Sequence, residues 1–454
     1  MQKRIKRLLI GTTLSLMKIS SIPLGEQAVL CALEDMNTWA AFVDARCRQE
    51  YLSALDKVKR RFGDSCSKEE LNCSLDELLK TTKTLPVQTK VDFIVLRRSH
   101  WGAVRPLVSA FQNAGCETRI IPTPMLNEGQ DNWGREFSKL AANDGFHVVD
   151  FRTYNIEEEL PDIVVDNMAV DSAKIPEFRF LRIASVTENI VHLEHSILTG
   201  YNEAMKRSYF RIGRSRAWLY IVPSPLFRKA FPLVMRIDGD YVAKGYPEMD
   251  SVWVSQQGGH VQDKTTILWN IDALDPEFDL SGDYERLEKE IHYLRVVADS
   301  FPEVLSIVRP HPNFFNQERC QALLEELMLL TKSNHNVIFD SEPTIYSAYK
   351  KASAMVTWLS STTLFTFAAT GKPVIAIPTF IRGGYDTILD MRLLNEIPVA
   401  YSEKDIIDFV KQIGTDSARE RRISILTEYS GPVDGTASAK IVQEVLSRYE
   451  EQLR

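Results

Sequence analysis

The chain has 454 residues, 44% of them apolar and 25% charged, with 54 basic against 61 acidic side chains for a net charge of −7. That length allows about three average domains with real apolar cores, and the composition excludes a disordered, collagenous or disulfide-scaffold chain. An acidic total gives no global attraction to nucleic acid, so no nucleic-acid partner is expected.

The chain opens with Lys3, Arg4, Lys6 and Arg7, four positive charges in seven residues. The apolar run behind them ends at Lys18 after about ten residues, against the roughly 20 needed to span a bilayer. The segment reads as a basic N-terminus packed on the body, as a patch for an anionic membrane surface, or as an export signal. Val29, Leu33, Met36, Ala40 and Val43 then recur at three- and four-residue steps, and residues 27 to about 80 read as a helical appendage. Six cysteines, at 31, 47, 66, 73, 116 and 320, include no Cys-x-x-Cys pair. They read as reduced thiols, and no metal site is expected.

From residue 91 the pattern changes. Short apolar runs at 91–96, 117–121, 145–150, 162–166, 181–186 and 218–223 read as strands, with a helix from about 106 to 113. A second series places strands at 265–269, 305–308, 337–339, 354–357 and 373–377. Helices at 284–300, 317–330, 344–352 and 363–369 separate them, and a last helix covers 437–451. Residues 250–259 read as a linker or the rim of a cleft. Such alternation predicts an α/β chain whose parallel sheets are covered on both faces. The expected architecture is two doubly wound Rossmann-like lobes facing a cleft, with the helical appendage at 1–85, a first lobe at 86–250 and a second lobe at 251–454.

Three segments carry candidate chemistry. The strand at 305–308 runs into Arg309-Pro-His-Pro312; an arginine there suits a phosphate, and His311 can donate to a phosphoryl oxygen or move a proton. A second strand runs into four hydroxyl residues, Ser360, Ser361, Thr362 and Thr363, and then a helix. Hydroxyls with the free amides of a helix start suit a diphosphate, although one hydroxyl would suffice as a cap. The third is Asn189-Ile-Val-His-Leu-Glu-His195, where His195 beside Glu194 reads as a general base or as part of a structural loop. The glycines beside Arg382 permit close approach to a ligand, and Asp434 lies near the start of the last helix, where a carboxylate also serves as a cap.

Arg309-Pro-His-Pro312, Ser360-Ser361 followed by Gly371-Lys-Pro373, the turn from Gly245-Tyr-Pro247 to Asp250, and Asp434-Gly-x-Ala-Ser438 together resemble the CDP-glycerol glycerophosphotransferases, over roughly residues 90 to 450. The resemblance implies a glycosyltransferase-B type fold, with an acceptor lobe followed by a nucleotide-donor lobe. It implies a cytoplasmic enzyme, often peripheral to the membrane, that moves glycerol phosphate from CDP-glycerol to a glycan or lipid-linked acceptor in cell-surface polymer synthesis, with no cofactor. His311 matches the family's histidine-proline motif near the donor phosphates. His195 best matches its catalytic histidine, with Ser196 where the family has glycine, and Glu194 is expected to orient it. Arg309, Ser360 to Thr363, Gly245, Arg382 and Asp434 are the expected donor-binding residues. Where the family's strand leads to Pro-Thr-Trp-Arg, this chain reads Ile267-Leu-Trp-Asn-Ile-Asp272. A glycosyltransferase or nucleotide-sugar epimerase of the same fold, and a non-catalytic nucleotide-sugar or polysaccharide-binding protein, are the alternatives.

Overall fold

The computed structural model describes residues 55–56, 88–95, 101–123, 132–166, 178, 180–193, 217–225, 240–257, 264–271, 281–311, 314–315, 318–340, 342, 344–358, 362–378 and 395–453. The chain forms two compact units. One comprises Met1–Lys90, Gly115–Glu117 and Leu446–Arg454; the other, Val91–Ala114 with Thr118–Val445, carries nearly all the described elements.

In chain order the first half gives β1 (Lys90–Val95), α1 (Trp101–Asn113), β2 (Glu117–Pro122), α2 (Asn132–Asn143), α3 (Ile156–Glu159), β3 (Ile163–Asp166), α4 (Phe180–Ala184), β4 (Ile190–Leu193), β5 (Leu219–Ile221) and β6 (Asp240–Val242). A connecting helix, α5 (Glu248–Gln256), follows. The second half gives β7 (Thr266–Ile271), α6 (Ser281–Ser300), β8 (Leu305–Pro310), α7 (Gln321–Ser333), β9 (Val337–Phe339), α8 (Tyr346–Lys351), β10 (Ala354–Trp358), α9 (Thr362–Ala368) and β11 (Val374–Ile377). Three helices end the chain: α10 (Glu403–Gln412), α11 (Arg419–Ser430) and α12 (Ala437–Leu453).

The strands make two sheets, ordered β2-β1-β3-β4-β5-β6 and β11-β10-β7-β8-β9. Pairings from β1–β3 through β5–β6, and throughout the second sheet, are parallel. Single parallel bridges extend both: Ile120 to Val148 outside β2, and Ala376 to Val399 outside β11. With those bridges counted in chain order, each sheet contains the 3-2-1-4-5-6 sequence of strands of a doubly wound dinucleotide-type fold. The order reverses between β1 and β3 in the first sheet and between β7 and β10 in the second. This is the expected α/β architecture of two Rossmann-like lobes.

All six residues of β7 are buried, as a central strand covered on both faces requires. Ile267, Trp269 and Ile271 pack with Leu287, Ile291 and Leu294 of α6 and with Leu323 and Leu327 of α7. In the first sheet Ile94, Val164, Ile190 and Tyr220 pack with Ile156, Phe178 and Ile183. A buried ion pair lies toward the amino ends of β1 and β2. Arg119 donates from Nε and Nη2 to the two carboxylate oxygens of Asp92, at 2.7 and 2.9 Å. Tyr154 donates to the same carboxylate, and Arg119 also reaches Glu159.

Three readings of the sequence change. Residues 181–186, taken as a strand, fall largely in helix α4, and the strand is the next apolar run, β4. The expected linker at 250–259 is mostly helix α5. Helix α1 begins at Trp101 and absorbs Pro106 rather than starting on it. The N-terminal helical appendage lies outside the described residues except for Leu55 and Asp56. Cys116 and Cys320 are buried. Among the described residues no helix is long and apolar enough to cross a membrane.

Candidate functional site

In doubly wound sheets ligands bind beyond the carboxyl ends of the strands where the order reverses. In the second sheet that point lies between β7 and β10. Asn270, near the end of β7, donates from Nδ2 to the hydroxyl of Thr357 on β10 at 3.0 Å and to that of Thr363 at 2.7 Å. One buried amide therefore ties both strands of the reversal to the first turn of α9. Tyr349 on α8 supports the same helix, donating from its hydroxyl to the Thr363 carbonyl at 3.4 Å and lying 2.7 Å from the hydroxyl of Thr366.

Arg309 and His311 sit one strand further on, around the end of β8, and their two-residue spacing puts them on one face. The amide of His311 donates to the Ile271 carbonyl at 2.7 Å, which fixes the strand end beside β7. The Arg309 side chain is 19% exposed; it donates to the carboxylate of Asp340 and, at 3.1 Å, to the carbonyl of Glu342. Its charge is therefore met within the protein, and the phosphate contact expected of it competes with Asp340.

In the first sheet the reversal lies between β1 and β3. Asp166, the last residue of β3, pairs in register with His192 on β4. Its carboxylate lies 3.4 Å from His192 Nδ1, with the histidine 3% exposed. The pair sets a carboxylate against an imidazole at the carboxyl edge of the sheet. His195 and Glu194, three and two residues beyond His192, lie outside the described residues, as do Ser360, Ser361 and Arg382. Thr362 and Thr363 open α9, so the described part of the hydroxyl run stands at the second reversal, with Thr363 held by Asn270.

Gly245 and Asp434 come together with Asp250 in a joint. The carboxylate of Asp250, on α5, accepts from the amides of Ala437 at 3.0 Å and Ser438 at 2.8 Å, the first residues of α12. Burial pushes the Asp250 carboxyl up, against the pull of Ser438 and Ala437. Gly245 has φ of +117°, and a Cβ there would lie 2.9 Å from Ala437 Cβ. Asp434 accepts from the amide of Thr436 at 3.0 Å and from its hydroxyl. Desolvation raises the Asp434 carboxyl, but Thr436 and Lys440 outweigh it and hold the group below the usual range. The Gly371-Lys-Pro373 turn is also part of the frame. Lys372 Nζ donates to the carbonyls of Tyr349 at 2.6 Å and Lys350 at 3.3 Å, capping the end of α8.

Asn270 and Asp166 are not among the candidate site residues of the sequence, and His192 lies in the candidate segment there only as the neighbour of His195. A polar side chain at the end of an otherwise apolar strand was the available signal for Asn270 and Asp166. Among the described residues no group of three or more His, Cys, Asp or Glu side chains is placed to hold a metal ion.

No protein-family model matches the chain, and no curated protein matches its sequence. Solved structures do match in fold. A Listeria monocytogenes protein assigned as a UDP-N-acetylglucosamine 2-epimerase is 14% identical, with a TM-score of 0.56 over 81% of this chain and 98% of that one. A second UDP-N-acetylglucosamine 2-epimerase is 15% identical, with a TM-score of 0.52 over 80% and 97%. The UDP-GlcNAc 2-epimerase of Neisseria meningitidis, solved bound to UDP-GlcNAc, is 13% identical, with a TM-score of 0.51 over 79% and 100%. At these identities the likeness is one of fold: the two-lobed glycosyltransferase-B type arrangement.

Proposed function

We propose that the protein is an enzyme acting on a nucleotide-activated sugar, as a glycosyltransferase or a nucleotide-sugar epimerase. The observation that carries this reading is the reversal point of the second sheet, where Asn270, Thr357 and Thr363 form a neutral polar cluster beside Arg309 and His311. The Thr357 and Thr363 hydroxyls accept from Asn270 and so keep their own O–H groups to donate to a diphosphate, and His311 adds a hydrogen-bonding or proton-moving group. The nucleotide then occupies the lobe at 251–454 and the sugar or acceptor faces the lobe at 86–250. There His195, oriented by Glu194, takes a proton from the reacting group.

CDP-glycerol transfer to a glycan or lipid-linked acceptor is the second reading, favoured by the motifs that carry the family resemblance. Against it stands Asn270, at the position where that family's strand supplies an arginine. In this reading the basic residues Lys3, Arg4, Lys6 and Arg7 touch an anionic inner membrane face, and loss of liposome sedimentation on removal of residues 1–20 is the expected result.

The test is calorimetric titration with UDP, CDP, UDP-GlcNAc and CDP-glycerol, followed by NMR of the incubated mixtures. A new sugar epimer, or a uridine nucleotide released only with an acceptor present, supports the first reading. Selective binding of CDP-glycerol moves the assignment to the second. Binding of none of these ligands overturns both.

A further inference from the structure

Helix α1 contains a defect that another part of the fold repairs. Pro106, its sixth residue, has no N–H, so the carbonyl of Gly102 four residues earlier loses its helical donor. The hydroxyl of Ser251, on α5, donates to that carbonyl at 2.8 Å in a buried contact. Gly102 is also the point of closest approach. A Cβ there would lie 1.6 Å from the hydroxyl oxygen of Tyr346, the first residue of α8, so no side chain fits. Across this gap the Tyr346 hydroxyl donates to Glu248 Oε1 at 2.8 Å. Burial pushes the Glu248 carboxyl up, against the pull of Tyr346 and Tyr246. Glu248 and Ser251 are three residues apart on α5 and therefore share a face. One helical face thus grips the first turn of α1, which follows β1 of the first sheet, and the first turn of α8, which follows β9 of the second.

We propose that Glu248, Ser251 and Tyr346 are positioning residues: a clasp that fixes the first turn of α1, at the reversal of the first sheet, against the leading end of α8 beside the nucleotide edge of the second. Apolar contacts let helices slide past one another, whereas two hydrogen bonds through a glycine gap admit a single offset. A partly buried carboxyl is costly unless it is hydrogen-bonded, so leucine or alanine would serve mere packing better. The placement of the clasp beside a nucleotide rests on the function proposed above; the clasp itself does not.

The test uses the full chain with Y346F, S251A and E248Q, checked for an unchanged circular dichroism spectrum and unfolding midpoint within a few degrees. Hydrogen exchange of a peptide covering residues 101–113 is read without ligand, and affinity for UDP and CDP by calorimetry. Y346F and S251A are expected to speed exchange about tenfold and to weaken the better-bound nucleotide at least fivefold, with E248Q, which keeps an acceptor for Tyr346, close to wild type. Unchanged exchange in Y346F and S251A overturns the clasp. Faster exchange with unchanged affinity shows a packing contact and overturns the positioning role. If the wild-type protein binds neither nucleotide, the positioning role at a nucleotide falls, and if it also binds neither UDP-GlcNAc nor CDP-glycerol the proposed function falls with it; the exchange data still decide whether the clasp exists.

Discussion

Asp250→Ala is the sharpest test of the frame. The Asp250 carboxylate is 6% exposed and meets the amides of Ala437 and Ser438 at 3.0 and 2.8 Å. The first amides of a helix have no intrahelical acceptor, so alanine leaves both unpaired in a buried place. A hydrogen bond to a charged group contributes about 1.5–3 kcal/mol, and loss of an N-cap costs about 0.5–2 kcal/mol. Two such bonds at the lower figure give about 3 kcal/mol for alanine, a little above the upper cap figure because the site is buried. Asparagine keeps one carbonyl but turns an NH2 toward the second amide, so about half of that loss is expected. It also removes a carboxylate whose ionisation burial already opposes. Urea unfolding and hydrogen exchange of the first turns of α12 read the effect, and 3 kcal/mol corresponds to exchange faster by about a hundredfold. An alanine variant within about 1 kcal/mol of wild type, with exchange unchanged, would refute the capping argument.

Lys372 is lowered to about 8 by burial, against an unfolded value of about 10.4. Between those values the unfolded chain binds more protons, so this lysine adds stability as pH rises and loses it as pH falls through 8. Urea midpoints of wild type and Lys372→Met at pH 7 and pH 10 should therefore differ more in favour of wild type at the higher pH; a pH-independent difference argues against a depressed lysine. Gly245→Ala combines a φ of +117° with a Cβ at 2.9 Å from Ala437 Cβ, and should lower stability by about 3 kcal/mol in chemical unfolding. Asn270→Ala removes the donor shared by Thr357 and Thr363. Calorimetry should show at least tenfold weaker nucleotide binding for it, with the Asp250 joint unaffected by hydrogen exchange.

Much of the fold was legible because apolar runs bounded by turns reported the strands directly: residues 337–339 are a strand to the residue. The misreadings have separate local causes. Leu181 to Val186 is a short apolar run, and a run of that length has no periodicity to separate helix from strand. A helix start at Pro106 is the natural reading because a proline fits a first turn. The hydroxyl that lets the helix carry its proline comes from Ser251, 149 residues away, and no local pattern announces it. Residues 250–259 read as a linker or the rim of a cleft because helix α5 meets α1, α8 and the start of α12, which leaves it no single apolar stripe. The candidate site was legible in its strand ends, Arg309 and His311, but not in the partners that decide their chemistry. Asp340 neutralises Arg309 from the next strand, and Asn270 reaches Thr363 across 93 residues.

The motifs that suggested a family divide physically into two kinds. The turn from Gly245 to Asp250 and the segment from Asp434 to Ser438 meet in one joint, where a carboxylate caps a helix and a glycine admits an alanine methyl. The Gly371-Lys-Pro373 turn holds the last carbonyls of α8. These contacts are demands of the scaffold, and any enzyme with the same crossings has the same need for them whatever it binds. In the function proposed above, the substrate is selected elsewhere, by the groups that face the two reversals. At the second reversal the central side chain is the neutral Asn270, and the nearby guanidinium of Arg309 is already matched by Asp340. A guanidinium in place of Asn270 would attract a phosphate by charge; the amide instead fixes the Thr357 and Thr363 hydroxyls, and discrimination then rests on their hydrogen-bond geometry. Asn270→Arg should therefore strengthen binding of any nucleoside diphosphate and make it more salt-dependent, while eroding the preference among nucleotide sugars. Calorimetry at low and high ionic strength separates the two effects, and an arginine variant with unchanged salt dependence would place the diphosphate away from this strand end.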